Sequence, residues 1–157
     1  MAYFSDRRNV ELSLLYYLET NLSADWSGTT VAKTFKQVYA KDVALPIVLV
    51  RLDDTSPLPK EVGNTALIDY HLLIVDIFTR SDAQRLDMAS YVRSKLEAGW
   101  VHYDHSHAVD NATLTRVANG RDTVRQYVSD TRLAFGETVD EKDKYRQVIS
   151  VRVVKSS

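Results

Sequence analysis

Cysteine is missing from this chain of 157 residues. Its absence excludes disulfides, thiolate nucleophiles and cysteine-held zinc or iron–sulfur centres. Glycine is scarce and its five copies lie far apart, so no glycine-rich loop can cradle a phosphate; GxSxG, HExxH and CxxC are absent as well. No apolar run approaches the roughly 20 residues that a membrane span needs. Nor does one charge dominate. The 20 basic and 21 acidic residues leave a net charge of −1, which is no basis for an electrostatic grip on nucleic acid. The opening MAYFSDRRNVELSLL lacks the basic start, apolar centre and small-residue cleavage site of a secretory signal. Synthesis in the cytoplasm is therefore the expectation.

What is present is an ordinary hydrophobic share of 45%, in a length that suits one domain, residues 1–157, able to bury a core without staples. The organising stretch runs from Leu67 to Gly99. Its first half, LIDYHLLIVDIFT, alternates as a strand and is apolar on both faces from Leu72 onward, apart from Asp76, so both faces are expected to be covered. Ser81 followed three residues later by Gln84 has capping-box spacing, Asp82 suits the positive end of a helix, and Gly99 is a natural stop. The spacing between them predicts a helix near 82–98, with Leu86, Met88, Ala89, Val92 and Leu96 on its apolar stripe and Arg85 and Arg93 at the margins.

A first helix is predicted near 6–22. Val10, Leu14, Tyr17, Leu18 and Leu22 share one face, while Leu12 and Tyr16 lie opposite, which leaves apolar surface beyond a single core contact. Residues 31–39 lean toward strand, and LPIVLVRL at 45–52 reads as a strand apolar on both faces. The stretch DDTSPLPKEVGNT at 53–65 reads as a long polar contact loop. Residues 100–111 form a histidine-rich connection, and strands at 112–118 and 121–128 would close on an Asn119-Gly120 hairpin turn. The last strand, 145–155, is apolar on one face only, which places it near an edge. This order of elements argues for α+β: a mostly antiparallel sheet of four or more strands packed with two main helices.

Candidate chemistry is thin. His102, Asp104, His105 and His107 carry nitrogen and oxygen donors suited to zinc or nickel, and a small metal-dependent enzyme using His102, His105 and His107 is the alternative reading. Neighbours on an extended chain point apart, however, and a solvated loop is the plainer account. Asp76 interrupts an apolar strand face, where pairing with an arginine explains it more simply than acid–base catalysis. Asp69 and His71 share a face, close enough for the carboxylate to orient the imidazole, but no nucleophile motif lies nearby. No catalytic residue, metal or cofactor is assigned.

The segment Ile68 to Gly99, with VDIFTRSDAQRLDMASYVRSKLEAG at its heart, resembles the strand-to-helix centre of tail-terminator or tail-completion proteins of long-tailed bacteriophages. The first helix, the strand at 45–52 and the closing VISVRVV are similar to that family in order. The resemblance implies a structural virion subunit at the tail-to-head junction. It implies a ring, usually a hexamer, that ends the tail tube and joins it to the head connector or stopper, with DNA passing through without sequence-specific binding. It implies no catalytic residues. The region 100–144 departs from the family's pattern, which leaves other neck-ring subunits, stopper or adaptor, open.

The residues themselves point to a homo-oligomer too, because two strands apolar on both faces offer more surface than two helices can cover. Leu12, Tyr16, Asp53, Asp54, Lys60, Glu61 and Arg152 are the expected ring contacts.

Overall fold

The computed structural model describes residues 2–59, 67–107, 114–133 and 141–156. A two-residue strand, β1 (Ala2–Tyr3), precedes helix α1 (Asp6–Asp25), whose N-terminus is capped by the Ser5 hydroxyl accepting from the Arg8 N–H. Then come β2 (Thr30–Ala32), the one-turn helix α2 (Phe35–Val38), and the long strands β3 (Ile47–Pro59) and β4 (Leu67–Thr79). Helix α3 (Asp82–Ala98) leads to β5 (Trp100–His107), β6 (Leu114–Leu133), a 3-10 turn at Glu141–Asp143 and β7 (Tyr145–Ser156). No helix among the described residues is long and apolar enough to cross a membrane.

The strands form one sheet in the order β1-β5-β6-β7-β4-β3-β2. Only β2 and β3 run parallel; every other pairing is antiparallel. The fold is therefore α+β, as the order of elements predicts, with the two main helices where their caps place them.

Alternation along the strands sorts the core. Val48, Val50, Leu73, Val75, Ile77, Ile149, Val151 and Val153 face one way and pack with Leu14, Leu18 and Leu22 of α1 and Met88, Val92 and Leu96 of α3. Ile47, Leu49 and Phe78 face the other way, and Val38, Val43 and Leu45 cover them there. Here α2 does what the sequence left to neighbouring subunits. Thr34 accepts from the Gln37 N–H while the Gln37 side chain reaches back to the Thr34 N–H, and that capping box turns residues 35–38 from strand into helix. The expected surplus of uncovered β-surface is largely sealed within the chain.

Several boundaries differ from expectation. Residues 53–59 are not loop but continue β3, paired with β4 from Asp54 to Pro59; Pro57 and Pro59 are tolerated because no strand among the described residues pairs with the other side of β3 there. Lys60 and Glu61, with the rest of 60–66, lie outside the described residues. Residues 100–107 form a strand, not a connection.

The Asn119-Gly120 pair makes no hairpin turn, since β6 runs through it. Val101 pairs with Arg121 and Tyr103 with Ala118, so Asn119 and Gly120 together oppose His102 as a bulge, with Gly120 at φ 84°. Strand β7 lies inside the sheet between β6 and β4 rather than at an edge. Its polar face, with Arg146, Ser150 and Arg152, looks toward a sheet face that is itself partly polar. On α3, Leu86 is 53% exposed whereas Arg85 is buried, held by Asp82 and Gln147.

Candidate assembly surfaces

An open sheet must manage its edges, because an unpaired row of N–H and C=O groups is a template for another chain. On one flank, β2 pairs with β3 only at Ile47–Leu49. Beyond that point the edge of β3 is blunted. The Leu52 N–H donates to the Glu11 carboxylate at 2.9 Å, the register slips at Asp53, and Pro57 and Pro59 offer no donor. Asp53 and Asp54 stand exposed there, with Asp53 3.8 Å from Arg51. On the other flank, β5 ends at Trp100, opposite Asp122, and no strand among the described residues pairs with that side of β6 over 123–133. Two bulges, at Arg125 and Val128, break the β6 ladder on β7, and Arg125 and Arg132 are exposed. Arg132 lies 3.9 Å from Asp82.

The outer edge of β5 is sealed in a different way. Beyond the two residues paired with β1, helix α1 stands in for a strand. The Ser13 hydroxyl accepts from the Tyr103 N–H at 2.9 Å, and the Asn9 side-chain oxygen accepts from the His105 N–H at 3.0 Å. Both polar residues are buried. Their spacing of four on the inner face of a helix is the signal that could have identified them.

Of the expected contact residues, Leu12 lies at 8% exposure in the core of its own subunit, because α1 packs against β5 and against β3 and β4 of the same sheet. Tyr16 is 37% exposed, edge-on to Tyr103, with the Arg116 guanidinium 4.2 Å from its ring centroid. Asp53 and Asp54 are at the β3 flank. Arg152 sits in mid-sheet between Leu72 and Gln126, away from both flanks.

The histidines do not converge. His102 Nδ1 lies 3.0 Å from the buried Asp122 carboxylate on β6, while His105 Nδ1 lies 3.1 Å from Asn9 Oδ1 on α1. Nothing is described of the His107 side chain. Among the described residues no group of three or more His, Asp or Glu side chains could hold a metal ion. His71 is held by the Thr55 hydroxyl at 3.0 Å, not by Asp69. Asp122 was missed because a lone aspartate in a polar strand looks solvated.

Burial lowers the pKa of both His71 and His105; at His105, Arg116 adds to the effect. A histidine held neutral in the fold takes up its proton more readily when unfolded, near pH 6.5. Stability is therefore complete above about pH 6.5 and falls as pH drops below it, by at most about 1.4 kcal/mol per pH unit for each group. Melting temperatures at pH 7.5 and 5.5 check this. His105→Gln is expected to shrink the difference between them.

The sequence matches no protein-family model and no curated protein.

Proposed function

We propose that this chain is a structural subunit that assembles head to tail into a closed ring, and that the ring ends the tail tube of a long-tailed bacteriophage and joins it to the head connector. The observation that carries the reading is the opposite charge on the two flanks of one sheet. Asp53 and Asp54 stand on the β3 flank, and Arg125 and Arg132 on the β6 flank. A flank that complements the other flank rather than itself favours a heterologous contact, and such contacts close into a ring when the rotation between neighbours closes.

Both flanks are blunted against strand pairing, so the contact runs through side chains. The resemblance of Ile68–Gly99 to tail-terminator proteins supplies the place in the particle and the hexamer. The chain acts by assembly and shape rather than by catalysis, with tail-tube and connector proteins as neighbours and DNA threading the opening.

Light scattering and negative-stain images of the purified protein test the reading. Rings are expected at low salt. Asp53→Lys with Asp54→Lys should give free subunits, Arg125→Glu with Arg132→Glu should do the same, and mixing the two variants or combining all four changes should restore association. A protein that stays monomeric with tube or connector protein added would overturn it.

A further inference from the structure

Among the described residues, one long strand edge is free of proline and helix cover and has a bulge only at its end, Asn119–Gly120. Strand β6 outruns β7: their pairing stops at Arg121 opposite Ser156, while β6 continues back to Leu114. Over residues 114–120 one side of β6 is paired with β5, and no strand among the described residues pairs with the other. The segment is LTRVANG. It contains no proline, no acidic residue and no bulge before Asn119. In its middle stands Val117, 60% exposed, which is the most exposed of the large hydrophobic side chains described, and Leu114 is 36% exposed. Among the described residues, the outer edges of β3, β5 and the far half of β6 are sealed by a helix, broken by bulges or interrupted by prolines, and the other unprotected run, residues 67–70 on the β7 side of β4, is shorter and carries Asp69.

We propose that this segment pairs antiparallel with the same segment of a second copy, about a two-fold axis through Val117. The sequence is suited to meeting itself. With Val117 opposite its own copy, Arg116 faces Ala118 and Thr115 faces Asn119, beyond which the bulge at Gly120 ends the pairing. The central pair is apolar, the next polar pair can hydrogen-bond, and the arginines are not directly opposed. Shifting the register by one residue would place Arg116 opposite Val117 and strand the apolar pair.

A two-fold contact of this kind is isologous and cannot propagate around a ring. It lies at the end of the sheet and not on its flanks, so it goes beyond the ring reading and does not require it. In a ring-forming chain it would join two rings face to face. A pairing this short is small beside the ~1,200–2,000 Å² of stable interfaces, so the dimer is weak and depends on concentration.

The absence of cysteine makes the test clean. Antiparallel partners lie about 4.5–5.5 Å apart at Cα, within the roughly 4.4–6.8 Å that a disulfide spans. Val117→Cys is therefore expected to cross-link rapidly into a dimer under mild oxidation. Ala118→Cys, which would face Arg116 of the other copy, should react no faster than Leu86→Cys, an exposed control on α3. As a second measurement, Val117→Lys should abolish self-association in sedimentation equilibrium without changing the melting temperature, because the side chain is exposed.

Equal cross-linking at positions 117, 118 and 86 overturns the proposal, as does a wild-type protein that stays monomeric at high concentration. Association that survives Val117→Lys but is lost in Asp53→Lys/Asp54→Lys overturns this contact while leaving the ring standing. Cross-linking at 117 that survives those flank changes supports the contact and separates it from the ring.

Discussion

Replacing Asp76 by Ala is expected to cost about 3–5 kcal/mol, and to lower the melting temperature by about 10 °C, because it strands a buried guanidinium. Asp76 is fully buried. Its Oδ1 accepts from Arg146 Nη2 at 2.6 Å and Nε at 3.2 Å, and its Oδ2 accepts from Arg51 Nε at 3.2 Å. Arg146 in turn lies over the Phe78 ring, 4.8 Å from its centroid, and also reaches Asp143 at 3.3 Å. Asp143 accepts from the Tyr39 hydroxyl, and Lys142 donates to the carbonyls of Val38 and Ala40. One carboxylate thus anchors a cluster that ties α2 and the 3-10 turn to the face of β3, β4 and β7 away from the main helices. Its removal should loosen that cover before the rest of the sheet.

Replacing the ion pair as a unit, Asp76→Leu with Arg146→Met, should recover much of the loss, since the cost comes from leaving one charge buried without the other. Chemical denaturation of the three proteins measures both effects. A loss below about 1 kcal/mol for Asp76→Ala would mean that water reaches the site and that the pair is worth no more than an exposed one.

Asp76 also shows what the sequence could reveal. An acid in an apolar strand asks for an arginine, and local pattern states that demand, but which arginine answers it is set by the sheet. Arg51 and Arg146 lie 25 positions before and 70 positions after it. The caps at Ser81 and Gly99 were readable because they depend on residues within one turn. Gly99 stands at φ 70°, where a Cβ would come within 3.1 Å of the Asp122 carbonyl oxygen, so the stop is a packing requirement as well as a turn.

Where reading failed, distant partners were responsible. Asn119-Gly120 has the left-handed preference of a turn, but β7 continues alongside the strand from Arg121, so the same preference was satisfied by a bulge. Strand β7 looked one-sided because its polar face meets Asp76 and its arginines, a partly polar layer that periodicity takes for solvent. Of the candidate contact residues, Asp53 and Asp54 were legible as exposed acids. The burial of Leu12 was not, because a helix docked on β5 as well as on β3 and β4 buries two stripes, and a single period cannot show the second.

That second stripe carries the other large effect. Asn9→Ala with Ser13→Ala should destabilise the protein by roughly 2–6 kcal/mol, the sum of about 1–3 kcal/mol for each buried backbone group left without its partner. Tyr103 and His105 would keep their N–H groups pointed at α1 with nothing to accept them, and the Ser13 hydroxyl would no longer donate to the Tyr103 carbonyl at 3.4 Å. The loss goes beyond stability. Asn9 and Ser13 are what hide the outer edge of β5, so the variant should expose a strand edge over 101–105 and aggregate on mild warming, where the wild type stays dispersed.

Backbone hydrogen exchange separates the two consequences. The Tyr103 and His105 amides should lose protection first, while Val75 and Val151 in the sheet centre keep theirs until global unfolding. If all four amides lost protection together, α1 would be an integral part of the folding unit rather than a cover laid over one edge. If the double variant melted within about 1 kcal/mol of the wild type, water would be replacing the helix side chains and the edge would never have been sealed. The sign matters for assembly, because with the β5 edge closed the longest unprotected edge among the described residues is β6 114–120. The Asn9/Ser13 variant would acquire a second open edge and lose the selectivity that the first one provides.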